Sequence, residues 1–147
     1  MTKPIIKSIT MPKFITPTGK YILTILAPFL FIFPYGKYRC THPKFKDPLE
    51  TKLFWGLDGW SGTHFLFFMT VGYLYPDMFV VSMLIGIAWE LFEHFYGKHR
   101  PGWLGGYGDC MNLASDRDTG NWWYGKWSDL VCNCAGFLIG NRLSSSP

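Results

Sequence analysis

The sequence contains few charged residues for its length. Only 16% of its 147 residues are Asp, Glu, Lys or Arg, whereas 48% are hydrophobic and 19% are aromatic. Soluble domains usually carry about 25% charged residues, so this composition argues against an ordinary soluble fold. It favours a single membrane-embedded domain.

Cysteine is also scarce, and its spacing matches neither a zinc site nor a disulfide framework. Cys132 and Cys134 lie inside an apolar segment, where thiols usually act as small hydrophobic groups. The N-terminus lacks the pattern of a cleaved signal peptide. We therefore expect insertion to rely on the apolar segments themselves.

The 14 basic residues give a formal net charge of +4 and lie outside the apolar runs. This distribution is typical of membrane-topology determinants and differs from a nucleic-acid-binding stripe, so no nucleic-acid partner is expected. Residues 1–20 are predicted to form a basic flexible tail, residues 21–143 a single membrane domain, and residues 144–147 a polar C-terminal tail.

The apolar runs predict an all-α, polytopic membrane bundle of three to four helices. Three helices are expected in the run ending at residue 75, at 78–96 and at 128–143. An earlier run, 21–35, is 15 residues long and contains two prolines, whereas a span needs about 20 residues. We expect this short first segment to be interfacial or re-entrant, because 13 of the 14 bases then share one membrane side.

Two carboxylates interrupt the apolar run at 78–96. The spacing of Glu90 and Glu93 places both on one helical face. Ionisable residues within a membrane segment usually face a bundle interior or a water-filled cavity, which makes a functional site the first hypothesis. The alternative is that Glu93 and His94 only mark the end of the helix at the interface.

A histidine lies at a matching depth in the preceding run. His64 is 12 residues before Pro76, and Glu90 is 14 residues after it. In a helical hairpin both would lie about 18 to 21 Å from the turn, so they can face each other. A purely structural histidine is the alternative. In the functional interpretation His64 transfers protons near neutral pH, and Asp58 orients its ring.

The last predicted helix carries a polar and glycine stripe. Asp129, Asn133, Gly136 and Gly140 are spaced by 4, 3 and 4 residues and therefore share one face. The polar end is expected to join His64, while the glycines allow a neighbouring helix to approach closely.

An oxygen-rich set of this kind suits calcium, or else magnesium or manganese. The predicted metal ligands are Glu90, Glu93, Asp129 and Asn133, and the predicted catalytic residues are His64 and Asp58.

Three motifs resemble the phosphatidylserine synthases that work by base exchange: THF at 63–65, WELFE at 89–93 and NWWYGKWSDLVCNCAG at 121–136. The resemblance implies that His64 is the catalytic histidine and that Glu90, Glu93 and Asp129 bind calcium. It further implies a reduced, transferase-type enzyme of phospholipid metabolism in the endoplasmic reticulum or an equivalent internal membrane. Such an enzyme exchanges the choline or ethanolamine head group of a phospholipid for L-serine.

The chain departs from that family where an acidic residue would follow the Trp pair, because Tyr124 stands there. A loop residue, Asp109, Asp116 or Asp118, could replace it. The motifs are also similar to those of VanZ-like small membrane proteins. The alternative function is thus a non-catalytic membrane component of a larger assembly, with a relict polar site and helix association through Gly136 and Gly140.

Overall fold

The structure, a computed structural model, describes residues 17–42, 44–99 and 125–145. Its α-helices in these ranges are α1 (Pro17–Leu26), α2 (Phe29–Thr41), α3 (Gly59–Leu74), α4 (Phe79–His99) and α5 (Trp127–Ser144). The described ranges contain no β-strand, only an isolated bridge between Lys52 and Asp58. The predicted all-α fold is confirmed for this part of the chain, whereas Asp109, Asp116 and Asp118 lie outside it.

The first helical segment is longer than expected. It begins at Pro17, within the predicted tail, and only Ala27 and Pro28 separate α1 from α2. A proline at the start of a helix costs no hydrogen bond, because the first N–H groups have no intrahelical partner. The segment Pro17–Arg39 is therefore long and apolar enough to cross a membrane, as is Pro76–Tyr96. The prediction of a short first segment was wrong.

The first segment also lies alongside α4. The hydroxyls of Tyr21 and Ser82 are 2.9 Å apart, and the rings of Phe29 and Trp89 meet at a centroid distance of 5.1 Å. Because both contacts advance along the two helices together, α1 and α2 run parallel to α4. A first segment that crosses a membrane would divide the bases five to nine between the two sides, and the interfacial or re-entrant arrangement stays a prediction.

Helices α3 and α5 also run parallel, with their backbones in close contact. A Cβ atom on Gly136 would overlap the carbonyl of Phe65, and one on Gly140 would overlap the carbonyl of Met69. Since 65 and 136 meet four residues before 69 and 140, the two helices share one direction. The glycine stripe of α5 is thus covered by α3 of the same chain.

Polar side chains occupy much of the interior. Those that are buried are Asp47, Asp58, Ser61, Ser82, Glu90, Ser128, Asp129 and Asn133. Large apolar side chains on the outer faces of the helices are exposed, such as Leu30 at 82% and Val80 at 67%. Exposed apolar side chains around buried polar side chains are the distribution expected of a helical protein in lipid.

Candidate functional site

The candidate site forms where three helices bring their polar ends together. Helices α3 and α5 begin at this level, and the antiparallel α4 reaches it in its second half, because the turn at Pro76 reverses the chain. One ligand atom each from His64, Glu90 and Asp129 lie within 4.8 Å of one another. These three side chains could together hold a metal ion.

The imidazole of His64 is oriented by α5. Its Nδ1 lies 3.0 Å from Oδ1 of Asn133 and 3.7 Å from Oε1 of Glu90. Both neighbours are hydrogen-bond acceptors, and they favour the tautomer in which Nδ1 carries the proton and Nε2 retains a lone pair. In this tautomer Nε2 can accept a proton or act as a nucleophile.

Asp58 has a different environment from the one expected. Its carboxylate accepts the backbone N–H of Ser61 at 3.0 Å and caps α3 in a reciprocal capping box. Its other oxygen pairs with the ammonium of Lys126. Asp58 therefore fixes the start of α3, whereas Oδ1 of Asn133 accepts the hydrogen bond from Nδ1 of His64.

Two residues of the cluster were missed by the sequence analysis. The hydroxyl of Ser61 donates to Asp129 at 2.5 Å, and the backbone N–H of Lys126 donates to Oε2 of Glu90 at 2.8 Å. The Asp-Gly-Trp-Ser sequence at 58–61 is a capping pattern that could have identified Ser61. No comparable local signal marks Lys126, because its partners are distant in sequence.

Glu93 does not belong to the group of three converging side chains, His64, Glu90 and Asp129. It lies one helical turn beyond Glu90 and is partly buried, but its carboxylate is not among the ligand atoms that converge within 4.8 Å in the described residues. Instead, Glu93 lines a cavity. The structure thus brings together Glu90, Asp129 and His64, with Asn133 hydrogen-bonded to the histidine.

The cavity has a volume of about 610 Å³ and lies between the first helical segment, α3 and α4. Its wall is mainly apolar, with Ile25, Phe29 and Ile85 among its lining residues. His64 and Asp129 also line it. A molecule in this cavity would contact both an apolar wall and the polar cluster.

Two buried polar atoms of the cluster have no hydrogen-bond partner: Oε1 of Glu90 and Nδ2 of Asn133. Glu90 is 6% exposed and Asn133 1% exposed. Buried polar groups are nearly always paired, so two unpaired groups beside one histidine indicate a place where a ligand can bind.

A second polar network connects α2 to the start of α3. The buried carboxylate of Asp47 accepts the hydroxyl of Tyr35 at 2.6 Å and Nε1 of Trp60 at 3.1 Å, and it pairs with Arg39 at 2.9 Å. Trp60 lines the cavity. This network fixes one wall of the cavity relative to the polar cluster.

Comparisons of the chain with protein-family models, with curated proteins and with solved structures found no match.

Proposed function

We propose that this chain is a membrane-embedded transferase of phospholipid metabolism. It exchanges the choline or ethanolamine head group of a phospholipid for L-serine in a cation-dependent reaction, with calcium as the first candidate, in the endoplasmic reticulum or an equivalent internal membrane. The observation that carries the proposal is the cavity of about 610 Å³, whose apolar wall adjoins His64 and Asp129. Such a cavity matches an amphiphile that has an apolar chain and a reactive polar head.

The exterior of the molecule supports a location in lipid. Two helical segments are long and apolar enough to cross a membrane, and exposed apolar side chains cover the outer faces of α1, α2 and α4. Phospholipid could therefore reach the cavity laterally from the bilayer. L-Serine, which is polar, would approach from the water at the level where α3 and α5 begin.

The donor set fits a divalent cation. Glu90 and Asp129 offer two carboxylates at one point, and Oε1 of Glu90 is buried without a hydrogen-bond partner. Hard cations such as calcium prefer carboxylate oxygens. When bound there, the cation would supply positive charge to a lipid phosphate.

His64 has the geometry of the reacting group. With Nδ1–H held by Asn133, Nε2 can take the proton of the serine hydroxyl while the serine oxygen attacks phosphorus. The bond between phosphorus and the choline oxygen then breaks, and the same proton passes to the leaving choline. In a covalent route, Nε2 itself attacks phosphorus and choline leaves with a proton from water; the serine oxygen then attacks phosphorus, the P–Nε2 bond breaks, and the serine proton passes to water.

The proposal is tested with the purified protein in detergent. We expect radiolabelled L-serine to be incorporated into phosphatidylserine, with release of choline or ethanolamine from the lipid substrate, in calcium and not in chelator. The variant His64→Ala should lose the activity by about 100-fold or more, since general acid–base catalysis typically contributes that much. His42→Ala is the matched control, because His42 is exposed at the end of α2.

Absence of calcium-dependent incorporation, with an active base-exchange enzyme assayed in parallel, would remove the proposed function. Equal activity of wild type and His64→Ala would contradict the proposed catalytic role of His64. The alternative, a non-catalytic membrane component, predicts no incorporation in any variant. It also requires another face for association, because Gly136 and Gly140 already pack against α3.

A further inference from the structure

Glu93 is a carboxylate of the cavity wall that the candidate cation site does not use. It lines the cavity, but it lies outside the converging group of His64, Glu90 and Asp129. Within the described ranges Glu93 takes part in no ion pair. A carboxylate at the wall of an apolar cavity is costly unless a positive charge accompanies it. A cationic group of a bound ligand could supply that charge.

Aromatic side chains line the cavity together with Glu93. Trp89 and Phe92 precede it on α4, with their ring centroids 5.3 Å apart, and Trp60 contributes a ring from α3. Trp89 also hydrogen-bonds the Glu93 carboxylate, which holds the group without balancing its charge. Aromatic rings attract ammonium groups, and quaternary ammonium ligands are commonly bound in this way. Rings beside one carboxylate therefore fit an alkylated ammonium group.

The depth of Glu93 matches the position of a phospholipid head group. At 1.5 Å per residue, Glu93 lies about 4.5 Å beyond Glu90 along α4. Trp60 lies about 6 Å from His64, toward the start of α3 and thus toward the same end of the bundle. The apolar lining residue Ile85 lies on the opposite side of Glu90. In a phospholipid, likewise, the ammonium group and the acyl chains lie on opposite sides of the phosphate.

We infer that Glu93 is the counter-ion of the head-group ammonium of the bound lipid, with the rings of Trp60 and Phe92 beside it. This inference rests on the proposed function, which places phosphorus next to His64. The phosphate and the ammonium of one zwitterionic head group then have separate partners, the cation site and Glu93. Glu93 therefore selects lipids whose head group carries a positive charge.

The test compares two lipids that share their chains and their phosphodiester. Radiolabelled dioleoyl phosphatidylcholine and dioleoyl phosphatidylglycerol are bound to the purified protein in non-ionic detergent with calcium, and serine is omitted so that no exchange occurs. Only the first lipid has a cationic head group. Glu93→Gln removes the negative charge and keeps the size of the side chain. Asp77→Asn is the matched control, because Asp77 is exposed at the turn between α3 and α4.

We expect Glu93→Gln to weaken phosphatidylcholine binding by about tenfold or more, because removing one partner of a partly buried charge pair leaves the other unpaired. Phosphatidylglycerol binding should not change, which also shows that the variant is folded. Phe92→Leu, which removes a ring and keeps an apolar side chain, should give a smaller loss with the same selectivity. Glu90→Gln should weaken both lipids, because both carry the phosphate. Asp77→Asn should bind both as the wild type does.

An equal loss of both lipids in Glu93→Gln would mean that Glu93 acts through the cation or the phosphate, and it would overturn the inference. Unchanged phosphatidylcholine binding in Glu93→Gln would overturn it as well, as would a wild type that binds neither lipid. Selective loss of phosphatidylcholine in a protein that exchanges no serine would remove the proposed function and retain the head-group contact.

Discussion

The contacts of the buried polar residues decide which of them can do chemistry. Asp58 caps α3 and pairs with Lys126, so its charge is balanced locally. Glu90 keeps one carboxylate oxygen unpaired next to His64. Among the carboxylates described here, the geometry therefore favours Glu90 over Asp58 for direct contact with a cation.

Part of this site could be predicted by counting residues. His64 and Glu90 were expected at the same depth on either side of Pro76, and the structure places their side chains 3.7 Å apart. The role of Asp58 was not foreseen, because a nearby aspartate can serve a helix cap as well as a histidine. The contacts of Lys126 join residues that are distant in sequence, and local sequence patterns do not predict them.

The separation of Glu90 from Glu93 leads to a prediction about calcium. Glu90→Gln keeps an acceptor for the backbone of Lys126 but removes the charge beside Asp129. We expect it to raise the calcium concentration for half-maximal serine exchange by about tenfold or more, which corresponds to about 1.4 kcal/mol. Glu93→Gln should have a smaller effect, because Glu93 lies outside the converging group.

Serine exchange measured over a range of calcium concentrations gives this comparison. Equal shifts in the two variants would instead favour the two-glutamate calcium site implied by the family resemblance.

At the scale of elements, the packing of α3 against α5 positions His64 relative to Asp129 and Asn133. The spacing of the glycines predicts the stripe on α5. It does not predict that α3 is the helix that packs against it. The first segment is longer than the sequence predicts, because Pro28 and Pro34 favour a short, interrupted helix. They lie at the junction of α1 and α2 and within α2, where the helix continues.

The close contact between α3 and α5 predicts that a glycine-to-alanine substitution has opposite effects on stability at two positions. Gly136→Ala places a methyl group against the backbone of Phe65 and should lower the free energy of unfolding by about 1–3 kcal/mol. Gly62→Ala, with open space around its Cβ, should be neutral or stabilising by up to about 1 kcal/mol, since alanine is the better helix former. Thermal unfolding in detergent measures both. Equal stabilities of the two variants would contradict the close packing of α3 and α5.

At the scale of the whole molecule, the course of the first segment determines which parts lie at the same end of the helical bundle. Tyr75 contacts Thr24, and Tyr35 contacts Trp60, so α1 begins near the turn at Pro76 and α2 ends near the candidate site. The bias of basic residues instead predicts that the N-terminal tail and the segment after α2 lie on the same side of the membrane. Charge counting alone does not choose between the two arrangements, because it assumes the number of crossings that it is used to assign.

Cysteine labelling tests this topology. In a background without the native cysteines, Thr18→Cys and Asp77→Cys should react with a membrane-impermeant maleimide from one side of sealed vesicles, because both positions are exposed near the same end of the bundle. Leu53→Cys, exposed before α3, should react only from the other side. Labelling of Thr18→Cys and Leu53→Cys from the same side would support the interfacial or re-entrant arrangement of the first segment.

The central claim is that Glu90 and Asp129, beside His64, form one cation site. Calorimetric titration of the purified protein with calcium, in detergent that contains phosphatidylcholine, tests it most directly. We predict one bound calcium per chain in the wild type and none in the double variant Glu90→Gln/Asp129→Asn. Thermal unfolding of the double variant is the control that it remains folded. Calcium binding by the double variant with the wild-type stoichiometry and affinity, or no binding by the wild type, would contradict the claim.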